Sequence, residues 1–84
     1  HVPLLKLDQL LLRSKRELKG GHIKLSLAKD LQSPVVEALL FSPSPKLVNQ
    51  IAVGSQYQVL CELQWNYFQQ KKTIQLLIKD LKSL

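Results

Sequence analysis

From His22 to Leu27 apolar and polar residues alternate without a break. Ile23, Leu25 and Leu27 fall on one side of an extended chain; His22, Lys24 and Ser26 fall on the other. A period of two is the pattern of a half-buried β-strand. It returns between Tyr57 and Trp65, where Tyr57, Val59, Cys61, Leu63 and Trp65 share a face opposite Gln58, Glu62 and Gln64, with Leu60 the exception. Val35–Phe41, apolar and β-rich around Glu37, reads as a further strand.

The remaining segments are less decided. Leu10–Leu18 runs from leucines into Arg13, Lys15 and Arg16, and fits a strand or an amphipathic helix. Ile74, Leu76 and Ile78 alternate as in a strand, yet Ile74, Leu77, Ile78 and Leu81 also fit a helix. The tight polar loop before them and the strand facing them favour a hairpin. Residues 1–9, HVPLLKLDQ, read as a lead-in, because Pro3 disfavours regular structure there. Turns are expected at 19–21, 28–34 and 66–72. The excursion 42–54 opens with two prolines and then places Leu47, Val48 and Ile51 at helical spacing, which predicts a short helix before Gly54. The expectation is therefore an all-β domain over residues 10–84: a five-stranded OB-fold-like barrel with a short helix between strands three and four. Closing the barrel removes the exposed edges that an open sheet would have to protect.

Composition limits what such a domain can do. The hydrophobic fraction of 45% argues against disorder. Twelve Lys and Arg against six Asp and Glu give a net charge of +6, which favours an anionic partner: nucleic acid, an acidic protein tail or a membrane surface. No segment pairs a strong apolar helix face with a basic one, so a membrane role has little support, and no apolar run approaches the ~20 residues of a membrane span. The single cysteine, Cys61, excludes an internal disulfide and fits a reducing compartment. Neither His1 nor His22 has metal-ligand spacing, and Asp8, Asp30 and Asp80 are scattered, so no catalytic constellation and no metal site are expected. The start at His1 rather than Met suggests a piece of a longer protein.

The residues that suit single-stranded nucleic acid are basic and aromatic, because rings stack on bases and ammonium groups meet phosphates. Arg13, Lys15, Arg16, Lys19 and Lys24 fall within twelve residues, with Glu17 the only acid among them. On adjacent strands they form a basic patch or a merely solvated face. Asn66, Tyr67, Phe68, Lys71 and Lys72 cluster in the predicted final turn, where one ring can cap the barrel and the other can stack. Trp65 shares parity with Tyr57, Val59 and Leu63, which favours core packing over stacking. His22 lies on the polar face beside the basic patch.

Three stretches carry a family resemblance: GGHIKLSL (Gly20–Leu27), EALLFS (Glu37–Ser42) and ELQWNYFQQKKTIQLLIKDL (Glu62–Leu81). Together they resemble the C-terminal OB-type domain of the RecJ family of single-strand-specific exonucleases. That family has a His-apolar-Lys-apolar strand, here with His22 and Lys24, and an apolar strand ending in Phe, here Phe41. Its final hairpin carries Asn-x-Phe, here Asn66 and Phe68, then Gln-Leu, here Gln75 and Leu76. After the Phe the family usually continues Arg-Gly, whereas Gln69 and Gln70 stand here; the change removes a phosphate contact that Lys71 and Lys72 can replace. The resemblance implies a parent enzyme of the bacterial cytoplasm that digests single-stranded DNA from the 5′ end in recombination and repair. Its catalytic residues and Mg2+ or Mn2+ would lie in separate domains of the same chain, with no cofactor in this part. The candidate nucleic-acid contacts are thus Arg13, Lys15, Arg16, His22, Lys24, Tyr67, Phe68, Lys71 and Lys72. The alternative is a docking module for the parent's catalytic core or for an acidic protein tail.

Overall fold

The computed structural model describes residues 3–84, with Phe68 described through its backbone alone. Five strands and one helix follow in the order β1 (Leu4–Leu18), β2 (His22–Ala28), β3 (Val36–Leu40), α1 (Pro45–Gln50), β4 (Gln56–Phe68) and β5 (Lys71–Ser83). They close into a barrel in the order β1-β2-β3-β5-β4. Every pairing is antiparallel except β3 with β5.

Closure depends on β1 serving two neighbours. Its first half pairs with β4, from Leu4 opposite Glu62 to Leu11 opposite Gln56, and its second half with β2, from Leu11 opposite Ala28 to Leu18 opposite His22. Irregularities in the ladders at Leu7/Leu10 and Leu12/Ser14 bend the strand between the two partners. This corrects the expectation of a lead-in over residues 1–9: Leu4–Gln9 belong to the barrel, while His1 and Val2 lie outside the described residues. Pro3 stands just before the strand, where its missing N–H is needed by no ladder.

The alternating residues fill the barrel. Leu25, Leu27, Ala38, Val59 and Cys61 are fully buried, and Leu12, Ile23, Leu76 and Ile78 pack with them. The helix closes one end. Ser44 caps it, its hydroxyl accepting from the Leu47 N–H at 3.2 Å, and Pro45 takes the first turn, where no donor is missed. Leu47 and Val48 rest on the core, and Ile51 is buried in it. The Tyr57 hydroxyl accepts from the Ala52 N–H at 2.7 Å and can donate to the Gln50 carbonyl at 3.3 Å, fixing the end of the helix to β4. Gly54 has φ of +94°, and its N–H bonds the Leu12 carbonyl at 2.8 Å; only glycine makes that turn without strain.

Candidate nucleic-acid interface

The last two strands outrun the barrel. β3 borders β5 only from Gln75 to Leu77, and β1 borders β4 only as far as Glu62. Beyond those points β4 and β5 pair with each other alone, from Trp65 opposite Ile74 to Phe68 opposite Lys71. Among the described residues no third strand flanks this ribbon. It projects as a two-stranded arm closed by Gln69 and Gln70, at φ of +50° and +67°, the left-handed pair of a type I′ turn. The predicted turn over 66–72 is therefore only two residues long. Tyr67 and Phe68 lie on β4, and Lys71 and Lys72 on β5.

The same parity has opposite outcomes along β4. Tyr57, Val59 and Cys61 point into the barrel and are buried; Leu63, Trp65 and Tyr67 continue that face along the arm and are 39%, 48% and 68% exposed. The expected core placement of Trp65 fails for this reason, since the face it occupies has left the barrel. Lys72 joins it from β5, its Nζ lying 4.0 Å from the centre of the Trp65 ring and 5.8 Å from that of Tyr67. An ammonium over an indole face is attracted by the ring quadrupole. Two aromatic rings and a lysine thus share one face of an exposed ribbon.

Beside the arm lies an open groove of about 510 Å³, lined on the arm side by Trp65, Asn66, Lys72, Thr73, Ile74 and Gln75, and on the barrel side by Lys24, Val35, Val36 and Glu37. A smaller polar groove of about 260 Å³ continues it across the barrel, lined by Ser14, Arg16, Lys24, Ser26 and Glu37. Lys24 and Glu37 line both. Pairing explains the continuity: Arg16 faces Lys24 across β1 and β2, Ser26 faces Glu37 across β2 and β3, and Glu37 faces Gln75 across β3 and β5. The β2–β3 connection bordering this surface is held in shape by Asp30, whose Oδ1 accepts the Gln32 and Ser33 N–H groups at 2.9 and 2.7 Å. The Ser33 hydroxyl and those two N–H groups hold the Asp30 carboxyl below the usual carboxylate range.

The basic residues predicted from sequence divide. Arg16 and Lys24 are neighbours on the grooved face, and Lys71 and Lys72 stand on the arm. Arg13 instead donates to the Ser33 carbonyl at 3.3 Å, tethering the β2–β3 connection. Lys15, on the opposite side of β1 from Arg16, donates to the Ile51 carbonyl at 2.8 Å, where the helix ends and a cation is favoured. His22 is half-buried; its Nδ1 accepts the Ser42 N–H at 3.1 Å, and its ring meets Phe41 edge-on at 5.1 Å. It joins the start of β2 to the end of β3, away from the arm. Tyr67 is exposed on the arm, and the side chain of Phe68 lies outside the description. Sequence reasoning missed Trp65 and Glu37 as groove residues.

Among the described residues, no three His, Cys, Asp or Glu side chains are grouped to hold a metal ion, and no helix is long and apolar enough to cross a membrane.

The chain matches the family described as the RecJ OB domain over residues 1–80. It belongs to that family. No curated protein matches it in sequence. Among solved structures, it is similar to the mitochondrial single-stranded DNA binding protein Rim1 of S. cerevisiae. In one crystal form the TM-score is 0.72 at 15% identity, covering 100% of this chain and 95% of that one. In another the TM-score is 0.70 at 15% identity, covering 100% and 97%. At that identity the likeness establishes the fold, a closed five-stranded OB barrel.

Proposed function

We propose that this RecJ OB domain holds single-stranded DNA, without strong sequence demands, along the grooved face and the β4–β5 arm. In this reading the parent is a single-strand-specific 5′–3′ exonuclease of recombination and repair in the bacterial cytoplasm, and the domain feeds the strand to catalytic domains elsewhere in that chain. The observation that carries the reading is the Trp65–Lys72–Tyr67 face, two exposed rings flanked by an ammonium on an arm that overhangs a groove. OB folds bind oligonucleotides on the face of strands two and three and at the loop joining strands four and five, the two places that meet here. The solved neighbours bear the name of single-stranded DNA binding proteins, which supports the same reading. A base that takes the indole face displaces the Lys72 ammonium toward the adjoining phosphate, so stacking and charge pairing are made together. Arg16, Lys24 and Lys71 are the further phosphate contacts.

In this reading the chain supplies binding, and the Mg2+ or Mn2+ of the exonuclease reaction belongs to the catalytic domains. The test is a fluorescence titration of the chain with oligo-dT, reading Trp65, the only tryptophan. Quenching that saturates and is reversed by salt supports the proposal; an unchanged signal and no binding would remove it.

A docking role has one observation in its favour. An apolar cleft of about 360 Å³ lies between the β1–β2 turn and α1, lined by Leu18, Ile23, Pro43, Pro45 and Val48 among others, on a different part of the surface from Trp65. In that reading the cleft receives the parent's catalytic core, and substitutions along the arm leave assembly unchanged.

A further inference from the structure

Phe41 ends the outer face of β3. Along this strand Ala38 and Leu40 are buried in the barrel, while Glu37, Leu39 and Phe41 alternate outward. Phe41 is 55% exposed, yet its ring is held in place. It meets the His22 ring edge-on, with centroids 5.1 Å apart and planes at 79°. His22 is fixed in turn, its Nδ1 accepting the Ser42 N–H at 3.1 Å, and Ser42 turns the chain aside at φ of +43°. An exposed ring already held in one position loses little freedom when a flat ligand covers it.

Cations stand beside this ring on the same face. Lys24 faces Leu39 across β2 and β3, so Phe41, two residues further along β3, is its diagonal neighbour and within reach of a long side chain. Arg16 faces Lys24 from β1. The two cations lie between Glu37 and Phe41, because the outward residues of β2 run Ser26, Lys24, His22, with Ser26 opposite Glu37 and His22 against Phe41. Bases stack on exposed aromatic faces while their phosphates meet nearby ammonium and guanidinium groups. We propose that Phe41 is a second stacking platform, which holds one base of a single strand on the outer face of the barrel while Lys24 and Arg16 take the adjoining phosphates. The inference rests on the proposed binding of single-stranded DNA, and extends it from the arm to the far end of β3.

Two strands of about 8 nucleotides, within the range of one OB-fold site, test it: oligo-dT, and a strand of equal length made of abasic sites. The abasic strand keeps the phosphates and has no ring to stack. The unmodified 84-residue chain should bind oligo-dT the more tightly of the two. Phe41→Ala, checked for an unchanged melt, should weaken oligo-dT binding roughly tenfold, within what one stacked base contributes, and leave the abasic affinity nearly unchanged. Phe41→Trp made together with Trp65→Phe keeps a ring at both positions and moves the only tryptophan to the barrel face. Its emission should be quenched by oligo-dT and not by the abasic strand. A Phe41→Ala chain that binds oligo-dT as tightly as the unmodified one, or loses affinity equally for both strands, would overturn the inference and leave the DNA-binding reading standing; so would unquenched emission from the double variant. If the unmodified chain binds neither strand, the DNA-binding reading itself falls, and the inference falls with it.

Discussion

Trp65 and Cys61 lie on the same side of β4, and their surroundings set them apart. Cys61 is fully buried, and burial pushes its thiol up, so the nucleophilic thiolate is scarce at neutral pH. Its alkylation should be negligible in the folded chain and should appear in step with unfolding when denaturant is raised; rapid labelling of the native chain would contradict this. Trp65 is 48% exposed, so Trp65→Ala should move stability by about 1 kcal/mol or less, as surface changes do. The same change should weaken oligo-dT binding by about 1–3 kcal/mol. Leu25→Ala is the contrasting control, with a fully buried side chain whose loss should cost about 2–5 kcal/mol in a denaturant melt. Alternation in the sequence states which side of a strand a residue occupies. It does not state whether anything covers that side, which is why Trp65 read as core from sequence and stands open on the arm. The basic residues show the same limit: Lys15 and Arg16 are adjacent in sequence, yet one secures the helix end while the other faces the groove.

At the level of elements, β2 and the inner part of β4 were legible because one face of each is buried along its whole paired length. The first half of β1 was not. Leu4–Leu10 reads LLKLDQL, in which a ladder irregularity and a change of partner interrupt any clean period. Deleting residues 3–9 should therefore abolish cooperative unfolding, because β4 loses its partner from Glu62 to Val59 and the core loses Leu7; a shortened chain that melts like the full one would contradict the two-partner role of β1. The arm's turn was hidden for a different reason. Gln69 and Gln70 both take left-handed backbone angles, which L side chains adopt at a cost of about 1–2 kcal/mol each. Gln70→Gly, or Asn-Gly at both positions, relieves that strain and should stabilise the fold by about 1 kcal/mol. In a domain of this size that corresponds to a melting temperature about 4–8 °C higher. A fall in melting temperature would exclude the type I′ turn. The helix was visible through Ser44, Pro45 and the spacing of Leu47, Val48 and Ile51, all of which the structure uses.

The whole molecule joins a closed barrel, which supplies rigidity, to an overhanging arm, which supplies reach. The net charge of +6 is general to the chain, but Arg16, Lys24 and Lys72 line one continuous path that passes the exposed rings, and Lys71 adds a fourth cation on the other side of the arm. Family membership and the barrel order establish what kind of domain this is; the positions of those cations and rings support what it holds. If they meet phosphates, binding releases counterions, and affinity must fall with salt in proportion to the number of contacts. The most direct measurement is the oligo-dT affinity of the chain across a series of salt concentrations. Four contacts at roughly 0.7 each predict a log–log slope of about −3. Lys71→Ala with Lys72→Ala should flatten it by about 1.4. A slope near zero, or no measurable oligo-dT binding at low salt, would contradict the account.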